Sequence, residues 1–304
     1  MASKKTPLKV GRRVLEVSNL DKVFYPSTGF TKGDTINYYR EIAPVLLPHL
    51  KGRLLTLKRY PDGVEGMFFY EKNCPKHRPE WIKTAPMVRR QDGVTVNYCV
   101  LNDEASLVWA ANLASIELHT TLAKATDVTR PTALVFDLDP GPPAAILDCV
   151  DVALWLKKIL ASHDLDLFPK TSGSKGLQVF APLNTKVTYE QTKAFAHELA
   201  LQLAKEHPDQ VLSKPKKAER EGKVFVDWSQ NDNHKTTVSV YSLRAREEPT
   251  ASTPVSWAEL TKARKAGDPA LLAFEAADVL RRVAKRGDLF DPVRTLKQKL
   301  PKGF

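Results

Sequence analysis

The sequence predicts a mixed α+β fold. Strand-like and helix-like segments follow one another irregularly along the 304 residues, unlike the regular strand–helix repeat of a parallel sheet. The spacing of apolar residues predicts long amphipathic helices over 144–163 and 189–207. Short apolar runs at 133–136 and 177–182, closed by proline, are typical of buried strands. A chain of this length is enough for one large domain or two lobes with a substantial core.

The remaining elements are predicted in chain order. Thr31 is the expected N-cap of a helix over 31–47, because apolar residues recur there at helical spacing. The other predicted elements are a strand and turn at 14–26, a strand at 54–59, a loop at 61–72, a strand at 94–101, a helix at 104–114, a charged connector at 214–223, strands at 223–228 and 236–241, and a mostly helical C-terminal quarter up to Lys297. No internal repeat or low-complexity tract interrupts this order.

The composition is typical of a soluble globular protein that binds a polyanion. The hydrophobic fraction of 42% and the charged fraction of 27% are ordinary for a soluble globular protein. The net charge of +11 favours a polyanion partner. No apolar stretch approaches membrane-spanning length, and the basic N-terminus lacks the apolar region of a signal peptide. The odd, sparse cysteines Cys74, Cys99 and Cys149 predict a reducing compartment without disulfides, and Cys74 with His77 is interpreted as a loop rather than a zinc site.

Acidic residues suggest a metal site. Asp137 and Asp139 directly follow the apolar run 133–136, so as strand residues two apart they are expected to point to one face beside a tight turn. Side-by-side carboxylates repel unless a cation lies between them. Asp227, which ends a second apolar run, supplies a third ligand if the two strands are neighbours, and three carboxylates suit a two-metal phosphoryl-transfer site. The alternative is that each aspartate caps a helix or closes a turn; Asp-Leu-Asp at 164–166 is interpreted as such a loop.

A glycine- and serine-rich turn is a candidate phosphate site. The segment 170–176 contains Gly173 and Gly176, which let backbone N–H groups approach an anion. Ser172, Ser174 and Lys175 add donors and charge. The segment is not a P-loop, because the glycine spacing differs and a strand, not a helix, follows.

Basic and aromatic residues elsewhere suggest contacts to nucleic acid. Arg244 and Arg246 share a face if the segment is extended, and could clamp phosphates together with Lys58, which ends a strand. Phe68, Phe69 and Tyr70 could stack on unpaired bases, and Lys22 and Lys32 bracket a turn where two ammonium groups could bind a terminal phosphate. The alternatives are a solvated basic edge strand, buried loop anchors and ordinary surface lysines.

Taken together, these motifs resemble one family over nearly the whole chain. The segments that carry the resemblance are Asp-Lys-Val at 21–23, Tyr-Pro at 25–26, Thr-Lys at 31–32, Lys-Arg-Tyr-Pro-Asp-Gly at 58–63, Pro-Lys-His at 75–77, Pro-Glu-Trp at 79–81, Glu-Leu-His at 117–119, Phe-Asp-Leu-Asp-Pro-Gly at 136–141, Thr-Ser-Gly-Ser-Lys-Gly-Leu at 171–177, Val-Asp-Trp at 226–228 and Tyr-Ser-Leu-Arg-Ala-Arg at 241–246. The chain resembles the polymerase domain of bacterial DNA ligase D and its stand-alone relatives in the archaeo-eukaryotic primase superfamily.

The resemblance implies a primase-like catalytic core, with mixed and antiparallel sheets flanked by helices. It implies a single primase-polymerase domain over 1–304, with two lobes around a central active-site cleft and no attached ligase or nuclease domain. The implied metal ligands for two Mn²⁺ or Mg²⁺ ions are Asp137, Asp139 and Asp227. The implied nucleotide-binding residues are Lys58, His119, Ser172, Ser174, Lys175, Gln178 and Arg244, with His119 near a preferred ribose. The implied DNA contacts are Lys22 and Lys32 at a downstream 5′-phosphate, and Phe68 and Phe69 at the template end.

Two positions depart from the family pattern. Gln178 stands where the family usually has a histidine, and it can donate a hydrogen bond but carries no charge. The segment 231–234 also differs from the Arg-Gly often found after the third aspartate.

The function expected from the resemblance is template-directed addition of NTP or dNTP, preferably ribonucleotides, at short gaps or double-strand break ends bearing a downstream 5′-phosphate. The expected setting is the bacterial cytoplasm at the nucleoid, with a separate ATP-dependent DNA ligase, a DNA-end-binding protein and no membrane partner. One alternative is a catalytically degenerate module that binds DNA gaps or ends. A phosphohydrolase of the haloacid-dehalogenase type is less favoured, because Pro140 and Gly141 follow the Asp-Leu-Asp pattern.

Overall fold

The mixed α+β class is confirmed by the computed structural model, which describes residues 5–301 apart from the side chain of Lys217. The strands in chain order are β1 (Lys5–Val10), β2 (Arg13–Ser18), β3 (Val23–Tyr25), β4 (Phe30–Thr31), β5 (Leu55–Arg59), β6 (Phe69–Glu71), β7 (Lys83–Val88), β8 (Thr95–Val100), β9 (Ser115–Thr120), β10 (Ala123–Lys124), β11 (Asp127–Pro131), β12 (Ala133–Pro140), β13 (Phe168–Thr171), β14 (Leu177–Pro182), β15 (Val211–Leu212), β16 (Val224–Asp227) and β17 (Thr237–Val238). The helices are α1 (Lys32–Leu50), α2 (Glu104–Asn112), α3 (Ile146–Ala161), α4 (Tyr189–Glu206), α5 (Trp257–Ala266), α6 (Ala276–Arg286) and α7 (Asp291–Thr295).

The chain divides into two units that are interleaved in sequence. The first unit holds the described residues up to Thr120 together with Val238–Ala251 and Phe274–Gly287. Its main sheet has the order β17-β9-β5-β8-β7, with β6 added to β5, and the pairings of β5 with β6, β8 and β9 are antiparallel. Helices α2 and α6 pack against α1.

Helix α1 forms where the sequence predicts it. Thr31 accepts a hydrogen bond from the backbone N–H of Asp34, whose carboxylate accepts one from the backbone of Thr31, and this reciprocal pair satisfies two free donors of the first turn. The predicted apolar face, made by Ile36, Tyr39, Ala43 and Leu46, is buried. Burial of this stripe, more than helix propensity, stabilises a helix that contains two prolines.

The second unit holds Thr121–Thr237, Ser252–Ala273 and the described residues from Asp288. Its five-stranded sheet has the order β13-β14-β12-β16-β15; β12 lies at its centre, antiparallel to β14 and β16, and β15 is parallel to β16. Helix α3 packs against β12, β14 and β16, and α4 also contacts β12. The apolar residues of β12 are consequently buried, as the sequence predicts for 133–136.

Several strands differ from the sequence prediction. Strand β12 continues through Asp137 and Asp139 to Pro140 and does not end before them. The predicted loop 61–72 contains the three-residue strand β6, and the predicted strand 236–241 is reduced to β17. Such short strands are specified by pairing with a distant partner rather than by local pattern.

The prediction that the chain has no disulfide is wrong. Cys74 and Cys99 form a disulfide, and Cys149 is free and buried. The segment before β7 runs beside β8, where the Cys74 N–H donates to the carbonyl of Asn97, and this pairing brings the two cysteines together. A sequence separation of 25 residues reveals nothing of that long-range contact.

Among residues 5–301, none of the helices combines the length and the apolar character needed to cross a lipid bilayer.

Candidate functional site

Three aspartates lie on one face of the sheet in the second unit. Asp137 and Asp139 are two residues apart on β12, so their side chains point to the same side. Asp227, at the end of β16, is directly opposite Asp137 in the antiparallel register. Directly opposed residues of neighbouring strands present their side chains on the same face. The backbone thus brings together the three carboxylates that the sequence suggested.

Burial and like charge raise the pKa of Asp137 to about 7. Burial is the larger cause, followed by the negative charges of Asp139 and Asp227. A hydrogen bond from Gln178 and the positive charge of Lys170 act in the opposite direction. A divalent cation relieves repulsion between neighbouring carboxylates, and carboxylate oxygens are suitable ligands for it.

The donor set therefore fits a hard metal ion by chemistry and by strand register, but the side chains are not gathered around a single point. Asp227 accepts hydrogen bonds from Ser229 and from Gln230 Nε2, and Asp139 lies 3.5 Å from Arg220 Nη1. Within residues 5–301, no three His, Cys, Asp or Glu side chains are placed to hold a metal ion. The Asp227 carboxylate is therefore oriented by Ser229 and Gln230, whereas Asp137 and Asp139 share a face of one strand.

Gln178 lies next to Asp137 on β14 and is held by a buried lysine. Lys170 Nζ donates to Gln178 Oε1 and to Ser252 Oγ, each at 2.6 Å, and both Lys170 and Gln178 are buried. Since the amide oxygen faces the lysine, the amide NH₂ faces Asp137. The amide is thereby engaged on both sides within the second unit, and contact of Gln178 with a triphosphate stays a prediction.

The glycine- and serine-rich segment is a tight turn between β13 and β14. The backbone N–H of Ser172 donates to the carbonyl of Gly176 at 2.9 Å, and Ser172 Oγ accepts from the backbone N–H groups of Ser174 and Gly176 at 3.2 Å each. Lys175 is exposed at the tip. These three N–H groups donate within the turn, so the donors that the turn can offer an anion are its serine hydroxyls and the Lys175 ammonium group.

The same turn touches the aspartate strand. A Cβ atom on Gly176 would lie 2.0 Å from the carbonyl oxygen of Leu138, between Asp137 and Asp139. Only glycine allows this approach, because any side chain would collide with the backbone of β12. The candidate phosphate turn and the carboxylates are thus fixed to each other.

In the first unit, three predicted nucleotide-binding residues surround one buried glutamate. Strands β5 and β9 pair with Lys58 opposite Glu117, which is 2% exposed. Lys58 Nζ and the Tyr60 hydroxyl lie 3.4 and 3.1 Å from Glu117 Oε1. His119 Nε2 and Arg244 Nε lie 2.9 and 3.3 Å from Oε2. The structure brings Lys58, His119 and Arg244 together.

Electrostatics in this cluster are dominated by the ion pairs. Burial by itself would raise the pKa of Glu117, but the hydrogen bond with His119 and the charges of Arg244 and Lys58 hold that pKa well below its usual range. Burial lowers the pKa of His119, and the contact with Glu117 opposes this. Sequence reasoning gave Glu117 no role, although its position two residues before His119 places both side chains on one face of β9.

Lys22 and Lys32 are also close to each other. The Lys32 N–H, at the start of α1, donates to the Lys22 carbonyl at 2.8 Å. Burial, and then the positive charges of Lys22 and Arg59, lower the pKa of Lys32 to about 8. The Lys22 ammonium pairs with exposed Asp62 at 2.7 Å. Two lysines close to each other form a favourable environment for a phosphate group.

Phe68 and Phe69 are exposed on the surface of the first unit rather than buried as loop anchors. They are 50% and 43% exposed. Lys58 Nζ lies 4.3 Å from the ring centre of Phe68, and the Arg59 guanidinium 5.1 Å from that of Phe69. Rings with one cation-bearing face and exposed surface suit stacking on unpaired bases.

Comparison with known proteins decides the family. A family model described as the LigD primase-polymerase domain matches residues 31–290. The chain belongs to this family. Membership confirms the resemblance drawn from the sequence motifs and assigns the chain to the polymerase type of nucleotidyltransferase domain.

Curated relatives agree with the family match. The chain is 39% identical to the multifunctional non-homologous end joining protein LigD of Mycobacterium bovis over 90% of its own length, and 31% identical to the bifunctional LigD protein of Bacillus subtilis, also over 90%. It covers 36% and 43% of those two proteins, and so spans less than half of the length of each.

A solved structure shows the same fold. The polymerase domain of Mycobacterium tuberculosis ligase D, determined in complex with DNA, superposes with a TM-score of 0.85 at 37% identity. The match covers 93% of this chain and 99% of that domain.

Proposed function

We propose that this chain is a template-directed repair polymerase that adds nucleotides, preferably ribonucleotides, at short gaps or double-strand break ends carrying a downstream 5′-phosphate. The observation that supports this most is the set of Asp137, Asp139 and Asp227 on one sheet face, in a chain of the LigD primase-polymerase family. The proposed pathway is non-homologous end joining in the bacterial cytoplasm, with a DNA ligase and an end-binding protein as partners.

In the proposed mechanism, the three aspartates hold two Mn²⁺ or Mg²⁺ ions. When bound, such ions activate the attacking hydroxyl and stabilise the charge of the leaving pyrophosphate. The Gln178 amide orients Asp137 through a hydrogen bond, and Lys170 Nζ fixes that amide by donating to Oε1. The turn with Ser172, Ser174 and Lys175 donates hydrogen bonds to phosphate oxygens.

The first unit supplies the proposed nucleotide and DNA contacts. Lys58 and Arg244 bind the triphosphate as cations, and His119 lies by the ribose. Lys22 and Lys32 bind the downstream 5′-phosphate. Phe68 and Phe69 stack on the template end. The contacts that support these roles are the clustering of the three nucleotide-binding residues, the proximity of the two lysines and the exposure of the two rings.

Single-nucleotide extension of a short-gapped duplex tests the proposal. Ribo- and deoxyribonucleotides are compared in Mn²⁺, on substrates with and without the downstream 5′-phosphate. We expect extension that the phosphate stimulates and that the double substitution Asp137→Ala/Asp139→Ala abolishes. An unchanged rate in the double variant would remove the carboxylates from the mechanism.

A second candidate is a DNA-end-binding module without polymerase activity, which Gln178 favours by standing where the family usually has histidine. Binding of the gapped duplex without extension in either metal would establish this function instead. Gln178→His is the informative variant, since gain of extension would locate the defect at this residue.

A further inference from the structure

A single buried carboxylate connects the candidate nucleotide-binding residues of the first unit. Glu117 Oε1 accepts hydrogen bonds from Lys58 Nζ, the Tyr60 hydroxyl and the backbone N–H of Ala245, at 3.4, 3.1 and 3.2 Å. Oε2 faces His119 Nε2 and Arg244 Nε at 2.9 and 3.3 Å. Oε1 thus accepts hydrogen bonds from Lys58, Tyr60 and Ala245, and Oε2 accepts one from His119 and forms an ion pair with Arg244.

Glu117 is out of reach of a ligand. Its side chain is 2% exposed, whereas those of Lys58, His119 and Arg244 are 13–15% exposed. The cations therefore lie between the carboxylate and solvent, and a polyphosphate would meet positive charge. A carboxylate that cannot touch the ligand can still decide where the groups that do touch it are held.

The cations need such a carboxylate. Lys58 and Arg244 carry like charges that repel, and the pKa of Lys58 is lowered first by burial and also by the charges of Arg244 and Arg246. Without Glu117, two poorly exposed cations would lack a compensating charge, which is costly in a poorly solvated environment. Their side chains would move apart toward solvent.

The carboxylate also fixes the histidine ring. An ionised carboxylate only accepts hydrogen bonds, so His119 Nε2 carries the hydrogen in this contact. In the neutral ring Nδ1 is then the acceptor, and within residues 5–301 no side chain or backbone group hydrogen-bonds to it. Of the two ring nitrogens, Nδ1 is then the one that can accept a hydrogen bond from a ligand.

We propose that Glu117 is the positioning residue of this cluster, which sets the places of Lys58 and Arg244 and the Nε2–H tautomer of His119 for binding the nucleoside triphosphate. The role of the cluster in nucleotide binding rests on the proposed function, whereas the arrangement of the three side chains around Glu117 does not.

Glu117→Gln tests the proposal, with Glu71→Gln as the matched control. Glu71 is also a poorly exposed carboxylate of the first unit, paired with Arg59 at 2.8 Å and 18% exposed, but it does not contact the cluster. Both variants are compared with the wild type in thermal unfolding, in gapped-duplex affinity and in the KM and kcat for ATP addition opposite thymine.

We expect Glu117→Gln to raise the KM for ATP by about tenfold or more, because Lys58 and Arg244 are no longer held in place for charge-assisted contacts with the triphosphate. The change in kcat should be smaller. Glu71→Gln is expected to leave that KM unchanged within about twofold. Equal KM values for the two folded variants would overturn the proposal. Absence of extension by the wild type would contradict the proposed function. The role of Glu117 would then be decided by the nitrogen-15 shifts of the His119 ring.

The nitrogen-15 shifts of the His119 ring give a readout independent of activity and of any variant. The wild-type protein, without DNA or nucleotide, is expected to show a protonated Nε2 and an unprotonated Nδ1 above the pKa of the ring. In Glu117→Gln the two tautomers should mix. A wild-type ring protonated at Nδ1 alone would overturn the proposal, even if Glu117→Gln failed to fold.

Discussion

Lys32 shows how one buried side chain can make phosphate binding depend on pH. Its pKa is lowered to about 8, so it is mostly charged at pH 7 and neutral at pH 9.5. A 5′-phosphate is a dianion across that range, because its second pKa is about 6. The preference of the protein for gapped DNA with a 5′-phosphate should therefore weaken as pH rises.

We expect that preference to fall by up to about tenfold per pH unit above pH 8, since each unit lowers the charged fraction of one lysine tenfold. The measurement is the ratio of Kd values for phosphorylated and unphosphorylated gaps. In Lys32→Arg the guanidinium stays charged, so the ratio should remain flat. A wild-type ratio that is equally flat would rule out Lys32 as the phosphate ligand.

The sequence predicted the three aspartates of the candidate site but not Glu117. Asp137 and Asp139 follow a short apolar run closed by proline, so local pattern predicted that they share a face. Asp227 ends a second apolar run, and it was added to the pair on the condition that the two strands are neighbours. Glu117 was missed because its importance comes from Lys58 and Arg244, which reach it from distant parts of the chain. Its surroundings are a product of tertiary packing.

At the level of elements, the turn between β13 and β14 and the strand β12 depend on each other. Gly176 approaches the carbonyl of Leu138 so closely that Gly176→Ala would force one of them to move. We expect a loss of about 1–3 kcal/mol in the free energy of unfolding, typical of overpacking, and reduced extension activity because Asp137 and Asp139 flank Leu138.

Chemical denaturation monitored by circular dichroism, together with the extension assay, checks this expectation. Lys175→Ala, one residue away and exposed, should change the free energy of unfolding by no more than about 0.5 kcal/mol. Comparable stability of the two variants would mean that the turn can shift without moving β12.

The sequence predicts the bounds of a helix well where the helix is long and one of its faces is apolar. Helices α1, α3 and α4 begin and end within a few residues of their predicted bounds, because each repeats its buried residues over several turns. Strand β9 was missed, although Ile116 and Leu118 alternate with polar residues, because it is short and follows α2 almost directly. Most of its polar residues are buried too, which hides a half-exposed strand pattern.

At the level of the whole molecule, the charge of +11 predicts the salt dependence of DNA binding. With about four or more phosphate contacts, counterion release should weaken binding to a gapped duplex by about a hundredfold or more between 50 and 200 mM salt. Equilibrium titration at several salt concentrations gives the slope. Lys22→Ala should reduce the slope by about one if Lys22 contacts a phosphate, while a salt-independent affinity would argue against phosphate contacts altogether.

The division into two interleaved units was beyond the reach of sequence pattern. Val238–Ala251 and Phe274–Gly287 return to the first unit, and Ser252–Ala273 lies in the second. Each return is decided by contacts with residues far away in sequence, as is the disulfide between Cys74 and Cys99. Such contacts cannot be predicted from composition or from the periodicity of apolar residues.

The pairing of β12 with β16 has a consequence for how the protein is made. Asp137 and Asp227 become neighbours only when the long intervening segment has closed into a loop, which is entropically costly and slow compared with local helix formation. On the ribosome, the acidic centre cannot assemble until β16 has emerged. A nascent chain therefore stays without this centre until Asp227 has left the ribosome and β16 has paired with β12, and any ligand that needs both carboxylates would bind late and favour the folded state.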